Sequence, residues 1–418
     1  MLLGKRRRAP PSVEDRNVRF LVAQTACSGL VQGGITTFLP VFLARLGAGA
    51  LTVSALNSGL ALATIGMALP AGPMVERQRR LVGWSARYYY AIRVTFVLIA
   101  LAAFLPSPWA AYVSVGLWAA SGIPSAIANN AWYGVLAEAV SPRRRPVVNG
   151  ARWALLGFVS ALCVALFGRT LDLLPFPLGY QLVFMVSAVG GAVGIWFYSR
   201  IEIPDREPRP PGAAQGWRAR LAAIVGPLRE GGEFLHYTIG TSVLRLGLNL
   251  PIGLYSLFWV NELQASDTWI GLRSTVGNVA LTGGYYAWGR LAGRLGHRRT
   301  LGFAAGGLAL YPALTAASPS VEWLLPAAFI WGLFASGIDM SLFEGLLEVC
   351  PPDRRAEFVA VNTFVANAIV FVAPILGASL ADLFGIRPVL YLAAALHLAA
   401  VASVAYLARG APRHAVAG

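Results

Sequence analysis

Gly72-Pro73-Met74-Val75-Glu76-Arg77-Gln78-Arg79-Arg80 is a short basic turn set between two long apolar runs. A second stretch of the same character, Gly289-Arg290-Leu291-Ala292-Gly293-Arg294-Leu295-Gly296-His297-Arg298-Arg299, lies in the other half of the chain. Each ends on a pair of arginines just before the next apolar run. Arginine-rich turns of this length, spaced by apolar segments, are how membrane proteins encode topology.

The rest of the composition agrees. The chain has 418 residues, of which 56% are hydrophobic and 13% charged, with a mean hydropathy of +0.61. Soluble domains carry about 25% charged residues, so two or three soluble domains of this composition would each have an apolar surface. Cys27, Cys163 and Cys350 are too few for a disulfide framework and fall in spans or at one face. The formal charge of +15 comes from one lysine and 33 arginines scattered in bursts between apolar stretches. A nucleic-acid partner would need them gathered on one face of a soluble domain, so none is expected.

Crossing a hydrocarbon core takes about 20 helical residues, and the apolar runs far exceed the ~10 alternating residues of a barrel strand. The pattern predicts an all-α, polytopic membrane protein with twelve transmembrane helices. They cover 18–43, 51–75, 81–105, 109–138, 147–171 and 180–200, then 234–260, 268–292, 300–318, 322–348, 357–381 and 386–408. Short links such as Pro106-Ser107-Pro108 make consecutive helices antiparallel neighbours. Trp109, Trp196, Trp259, Trp269 and Trp323 sit near span ends, where indoles favour the interface.

Lysines and arginines give the orientation. With the N-terminus inside, the inner segments hold 26 of them and the outer loops three, Arg45, Arg169 and Arg387. This bias predicts a protein integral to the cytoplasmic (inner) membrane with both termini cytoplasmic. Lys5-Arg6-Arg7-Arg8 precedes an apolar run too long for a signal peptide and reads as an uncleaved anchor.

The chain also looks duplicated. A shift of 210 residues places Glu138 on Glu348, Pro142 on Pro352, Arg144 on Arg354, Arg145 on Arg355 and Asp172 on Asp382. Leu39-Pro40 likewise matches Leu250-Pro251 at a shift of 211. Charged identities are rare within and beside membrane helices, so they carry the comparison. The expected organisation is an N-terminal tail (1–17), a six-helix bundle (18–200), a cytoplasmic linker (201–233), a second six-helix bundle (234–408) and a tail (409–418), the bundles being pseudo-symmetric. Within the linker, Trp217, Leu221, Ile224, Val225 and Leu228 recur at helical spacing beside Arg218, Arg220 and Arg229. They suit a short helix lying on the inner leaflet or against the inner ends of the bundle.

Both basic turns resemble the G-x-x-x-D-R-x-G-R-R signature of the major facilitator superfamily, in the two places where that family carries it. Glu76 replaces the aspartate of the first copy, Arg79 its second glycine, and Gly293 the aspartate of the second copy. The resemblance implies alternating access around a cavity lined by spans one, four, seven and ten. It also implies a cytoplasmic gate drawn from Gly72, Glu76, Arg77, Arg80 and Glu138 in the first half; Arg152, in the inner half of span five, either joins Glu138 there or snorkels to the interface. In the second half the gate residues would be Gly289, Arg294, Gly296 and Glu348. Glu76 is then the gate acid, Arg77 and Arg80 its bases and Glu138 their partner. The second loop, lacking an acid, would gate more weakly.

Depth along the helices points to other residues. At 1.5 Å per residue, Arg245 lies ~16 Å into span seven and Asp339 ~13 Å from the inner end of span ten. An ionisable group at the centre of a bilayer costs at least ~2.5–3.5 kcal/mol, so it faces a cavity or a partner. Arg245 and Asp339 therefore form either a substrate or proton site that opens and closes, or a static ion pair between two helices. Glu344 is a second proton-site candidate. Gln32, Asn129 and Asn130 offer hydrogen bonds to a substrate or to neighbouring helices, and Trp132 and Tyr133 follow on the same helix.

Other chemistry is missing from the sequence. It has no G-x-x-x-x-G-K-[ST] phosphate loop, no metal-ligand spacing among His236, His297, His397 and His414, and no nucleophile paired with a base. No cofactor, metal or enzymatic activity is expected. The expected function is secondary active transport of a small solute, proton-coupled, by a monomer in contact with lipid. A drug/proton antiporter is the alternative; the resemblance disfavours it, because drug antiporters of that family carry a Gly-Pro-rich motif in span five, which has no proline here. A non-transporting sensor or enzyme on a transporter fold is the alternative from another class.

Overall fold

The computed structural model describes residues 12–410 except 69, 208–225, 231 and 352. Lys5–Arg8, most of the linker helix read at 217–229, Pro352 and nearly all of the C-terminal tail lie outside the described residues. The described residues form twelve long helical passes. The first six are α1 (Val13–Arg45), α2 (Ala50–Ala68), α3 (Leu81–Ala102), α4 (Trp109–Ala139), α5 (Arg145–Leu173) and α6 (Leu178–Tyr198). The second six are α7 (Gly232–Glu262), α8 (Asp267–Leu295), α9 (His297–Ala317), α10 (Val321–Val349), α11 (Arg355–Phe384) and α12 (Ile386–Gly410). Their ends fall within about five residues of the predicted spans, except that α2 stops at Ala68, short of 75, and a short separate helix, Ala71–Glu76, follows.

Among the described residues, 10 helices are long and apolar enough to cross a membrane. The other two, α3 and α8, carry Arg87 and Arg93, and Arg273, Arg290 and Arg294. Arg93 and Arg273 are half-buried and line cavities, as an arginine deep in a membrane helix must, whereas Arg87, Arg290 and Arg294 are exposed.

The two Leu-Pro steps mark the irregular helices. Pro40 has no N–H to donate one turn back, and the turn before it, Gln32–Thr36, widens into a π-helix. The Thr37 hydroxyl donates to the carbonyl of Gln32 across that wide turn (2.7 Å). In α7 the helix stops at Asn249, turns at Leu250–Gly253 and resumes at Leu254, ending in a second π-turn, Phe258–Glu262. Widened turns re-aim side chains that a regular helix would bury or present elsewhere.

Three apolar cores organise the bundle. On the side away from the linker, hereafter the far side, a single core draws on both halves and includes Phe38, Phe42, Phe184, Leu254, Phe258 and Ile270. On the linker side each half keeps its own core. One is built around Leu21, Val135 and Tyr198, the other around Phe234, Leu301 and Phe358.

Glycines let the halves approach closely on the far side. A Cβ at Gly168 would strike the carbonyl of Asp267 (2.6 Å), and one at Gly271 the carbonyl of Val164 (2.8 Å). Only glycine permits that spacing of α5 and α8.

Candidate functional site: a sealed far side above two arginine-lined cavities

The far-side seal hangs on the first turn of α8. The carboxylate of Asp172 on α5 accepts from the backbone N–H of both Asp267 and Thr268 (2.9 Å each). It thus caps a helix of the opposite half, where an anion also meets the positive end of the helix dipole. The side chain of Asp267, 5% exposed, accepts from the hydroxyl of Tyr180 (2.7 Å) and from Arg45 (3.4 Å). Arg45 also donates to the carbonyl of Ala265 (2.6 Å). The deepest hydrogen bond between the halves runs from the Thr275 hydroxyl to the carbonyl of Ala161 (3.1 Å). Thr275 is about 12 Å along α8 from Asp267 at helical rise.

On the linker side the ion pairs stay within each half or run from a half to the adjoining stretch of linker. Arg144 pairs with Asp15 (2.9 Å) and Glu14 (3.7 Å) at the start of α1. Its repeat counterpart Arg354 pairs with Glu230, just ahead of α7 (2.8 Å), and with Glu357 (2.9 Å). The hydrogen bonds that Arg144 donates to Asp15, and Arg354 to Glu357 and then Glu230, hold both guanidinium pKa values above the ordinary one. Among the described residues, no ion pair on this side joins the first half to the second.

The expected gate residues take partners other than those the resemblance implies. Glu138 is held by Arg206 of the linker. Arg80, with Arg79, pairs with Asp205 (3.8 and 3.2 Å). Glu76 and Arg77 are exposed, and neither has a described partner; Gly72 stands in open space. Arg152 does not reach Glu138: it donates to the Thr25 hydroxyl (2.9 Å) and Asn149 (3.1 Å) and stacks on Trp132. In the second half Glu348 does meet the basic turn, through Arg298 (3.6 Å), which also binds Glu233 (2.7 Å). Arg294 is exposed without a described partner, Gly289 lies beside Met340, and Gly296 ends α8 at a φ of 80°.

Arg245 and Asp339 are apart in this conformation. Arg245 donates to Asn362 on α11 (3.3 Å), and Asp339 accepts from the Tyr285 hydroxyl on α8 (3.0 Å). Glu344 is exposed with no described partner. Asn129 and Asn130 bond within their own helix, to Ser125 and to the carbonyl of Ala126.

Two large cavities stand out among the described residues, one between the halves and one within the first, besides a small pocket of about 160 Å³ beside Arg45, Tyr180 and Asp267. The larger, about 510 Å³, lies between the halves at the level of Arg273 on α8, with Gln32 of the α1 π-turn in its wall. Neither Arg273 nor its surroundings stand out in the sequence. The guanidinium lies over the ring of Trp259 (4.2 Å) and donates to the Tyr311 hydroxyl (2.6 Å), with Trp331 6.0 Å away. Tyr255 stacks on Trp259, so α7, α9 and α10 close an aromatic wall around one cation. Trp259, expected at the membrane interface, is instead buried in that wall. The break at Pro251 and the π-turn carry the last turns of α7 inward.

The second cavity, about 490 Å³, lies in the first half. It is lined by Arg93, Arg152, Asn129 and Gln24 among others. Among the described residues no group of three or more His, Cys, Asp or Glu side chains is placed to hold a metal ion.

Comparison with known proteins fits this geometry. Residues 237–418 match the family model of the Major Facilitator Superfamily. A search of curated proteins by sequence finds no match. Among solved structures, a point mutant of the nucleoside transporter NupG superimposes with a TM-score of 0.70 at 13% identity, covering 94% of this chain and 99% of that one. A bacterial homologue of the iron transporter ferroportin in the inward-facing state gives 0.69 at 16% identity, covering 94% and 98%. A bacterial ferroportin homologue in the outward-facing state gives 0.60 at 16% identity, covering 96% and 100%. The second half of the chain thus resembles the Major Facilitator Superfamily in sequence, and the whole chain shares its fold with solved transporters.

Proposed function

We propose that the protein is a secondary active transporter that moves a small solute by alternating access, coupled to protons. It would sit in the cytoplasmic membrane with its linker inside, as its arginine distribution indicates, and the structure is then its inward-facing state. The observation that carries this reading is the contrast between the two sides. Among the described residues, every hydrogen bond and ion pair between the halves gathers toward the far side, over a shared core, while toward the linker each half has its own core and its own ion pairs. The higher similarity to an inward-facing than to an outward-facing structure supports the same assignment.

Asp339 is the acid to which the proposal assigns the coupling proton. It is the repeat counterpart of Asn129, which lines a cavity, and its described partner is a neutral tyrosine rather than a cation. An ionised group in a membrane helix is costly, so a cycle can use its charging and discharging.

Proteoliposomes containing a pH-sensitive dye test both parts. The full chain should move protons when a transported solute is added. Asp339→Asn should stop proton movement and leave solute counterflow intact. Net transport indifferent to Asp339 would remove the coupling assignment. If no solute moves, and the distance between spin labels at exposed Val147 and Tyr286 stays fixed at every pH and solute, the transporter reading fails.

A further inference from the structure

We propose that the central cavity takes a small organic acid with an unsaturated ring, its carboxylate on Arg273 and its ring against the aromatic wall. This names the substrate class of the transporter proposed above and rests on that reading.

The first observation is charge. The walls of the two cavities contain three guanidinium groups, those of Arg273, Arg93 and Arg152, and no aspartate or glutamate. None of the three forms an ion pair among the described residues. A cavity built for an organic cation would carry the opposite sign. The aromatic rings do not reverse this, because the cation–π position over Trp259 is already filled by Arg273.

The second observation is geometry. A guanidinium has five N–H donors in a planar fork, suited to both oxygens of a carboxylate. Arg273 uses one of its nitrogens on Tyr311, and the ring of Trp259 covers a face of the group. The rings fix the plane of the fork and leave edge donors free.

The third is the set of polar atoms left without partners in the same cavity wall: the Trp259 Nε1–H, the Ser160 hydroxyl and the His397 Nε2. The Nδ1 of His397 lies 2.6 Å from the carbonyl of Ala393 and must donate to it. In the neutral ring Nε2 is then an acceptor. A buried donor, a hydroxyl and an acceptor, all unpaired, are costly unless a ligand or water meets them. A bare inorganic anion has no use for the remainder of about 510 Å³, which includes Pro40, Val41, Leu248 and Ile252. Arg93 and Arg152, nearer the linker side, would extend the same positive field along the route of an anion leaving or arriving there.

The test is calorimetric titration of the full chain in detergent with 2-naphthoate, its neutral amide, 2-naphthylmethylamine and acetate. The inference expects naphthoate to bind, with the amide, the amine and acetate each at least tenfold weaker. Arg273→Gln should lose at least tenfold in naphthoate affinity, and Arg273→Lys less. The amide and amine comparisons need no variant, so they decide even if Arg273→Gln does not fold. The proposal is overturned if naphthoate does not bind, if the amine or amide binds equally well, or if a monodisperse Arg273→Gln protein binds naphthoate like the wild type. Solute counterflow separates the two readings. Movement of the amine but not of naphthoate overturns the organic-acid assignment and leaves a transporter. Arg273-dependent binding without movement of any solute supports the site and counts against transport.

Discussion

The two sides of this bundle use the same materials differently. On the far side an acid from one half caps a helix of the other, a buried aspartate takes donors from the opposite half, and α5 and α8 touch through glycines. On the linker side arginines and acids are more numerous, yet each pair closes within its own half or onto the adjoining linker, and none joins the halves among the described residues. The difference shows that charge abundance does not make a seal. What joins the halves is burial and direct backbone contact, and exposed ion pairs, worth about 0–1 kcal/mol each, do not substitute for them.

Asp267 should therefore be the most sensitive point in the contrast. Asp267→Ala strands the Tyr180 hydroxyl and removes the carboxylate from Arg45, both beneath the shared core. Removing one partner of a buried charged pair costs ~3–5 kcal/mol; Arg45 is partly exposed, so ~2–3 kcal/mol is the expectation here. If the lost contacts exist only in the sealed state, the full amount moves the equilibrium, at tenfold per ~1.4 kcal/mol. Electron–electron distance measurements between labels at Val147 and Tyr286 should shift from a long to a short separation. An unchanged distribution would mean that the far side is held by its apolar core alone.

The second test uses one helix at both ends. Gly271 and Gly293 both lie on α8, but a methyl at Gly271 meets the carbonyl of Val164 while one at Gly293 meets nothing within 4 Å. Gly271→Ala should cost about 1 kcal/mol or somewhat more, since overpacking typically costs ~1–3 kcal/mol. Gly293→Ala should be neutral or stabilise by up to ~1 kcal/mol, as alanine favours helix. Melting temperatures of the two variants in detergent check the signs. Two changes of the same sign would remove the claim that the halves touch only toward the far side.

Much of this architecture is legible in the sequence because span ends are written in one dimension. Apolar length, the Leu-Pro steps and the basic turns locate the helices to within a few residues. Gln32 can be named because it stands beside Gly33-Gly34 in an otherwise apolar span. Depth singles out Arg245 and Asp339, but depth is only one of two coordinates, and the rotation of each helix about its axis is not written in the chain. In the structure they face Asn362 and Tyr285 instead of each other. Arg273 escapes a sequence reading for the converse reason. It lies nearer a span end than the midplane, and its importance comes from rings on α7, α9 and α10 that meet only in the fold. The spacing of Tyr255 and Trp259, four apart on a helix, is the one local signal of that wall. The gate acids are a different case: the turn motif names the acids and bases, but Arg206, which holds Glu138, comes from the linker.

The smallest effect tests the duplication itself. Arg144 and Arg354 occupy equivalent positions and each ties its loop to an acid at the entry of its half, α1 or α7. Both are exposed, and exposed pairs contribute little, so Arg144→Ala and Arg354→Ala should each lower the melting temperature only slightly, by less than Gly271→Ala does. The loss should shrink further in 1 M salt, where the screening length is about 3 Å. Arg354 also pairs with Glu357 one turn on, so its loss should be the slightly larger of two small ones, whether or not the protein is sealed on the far side. Melting temperatures at low and high salt measure this. A large, salt-insensitive loss at one site alone would mean that only that arginine has a structural duty, and that its counterpart is a sequence echo without the same work.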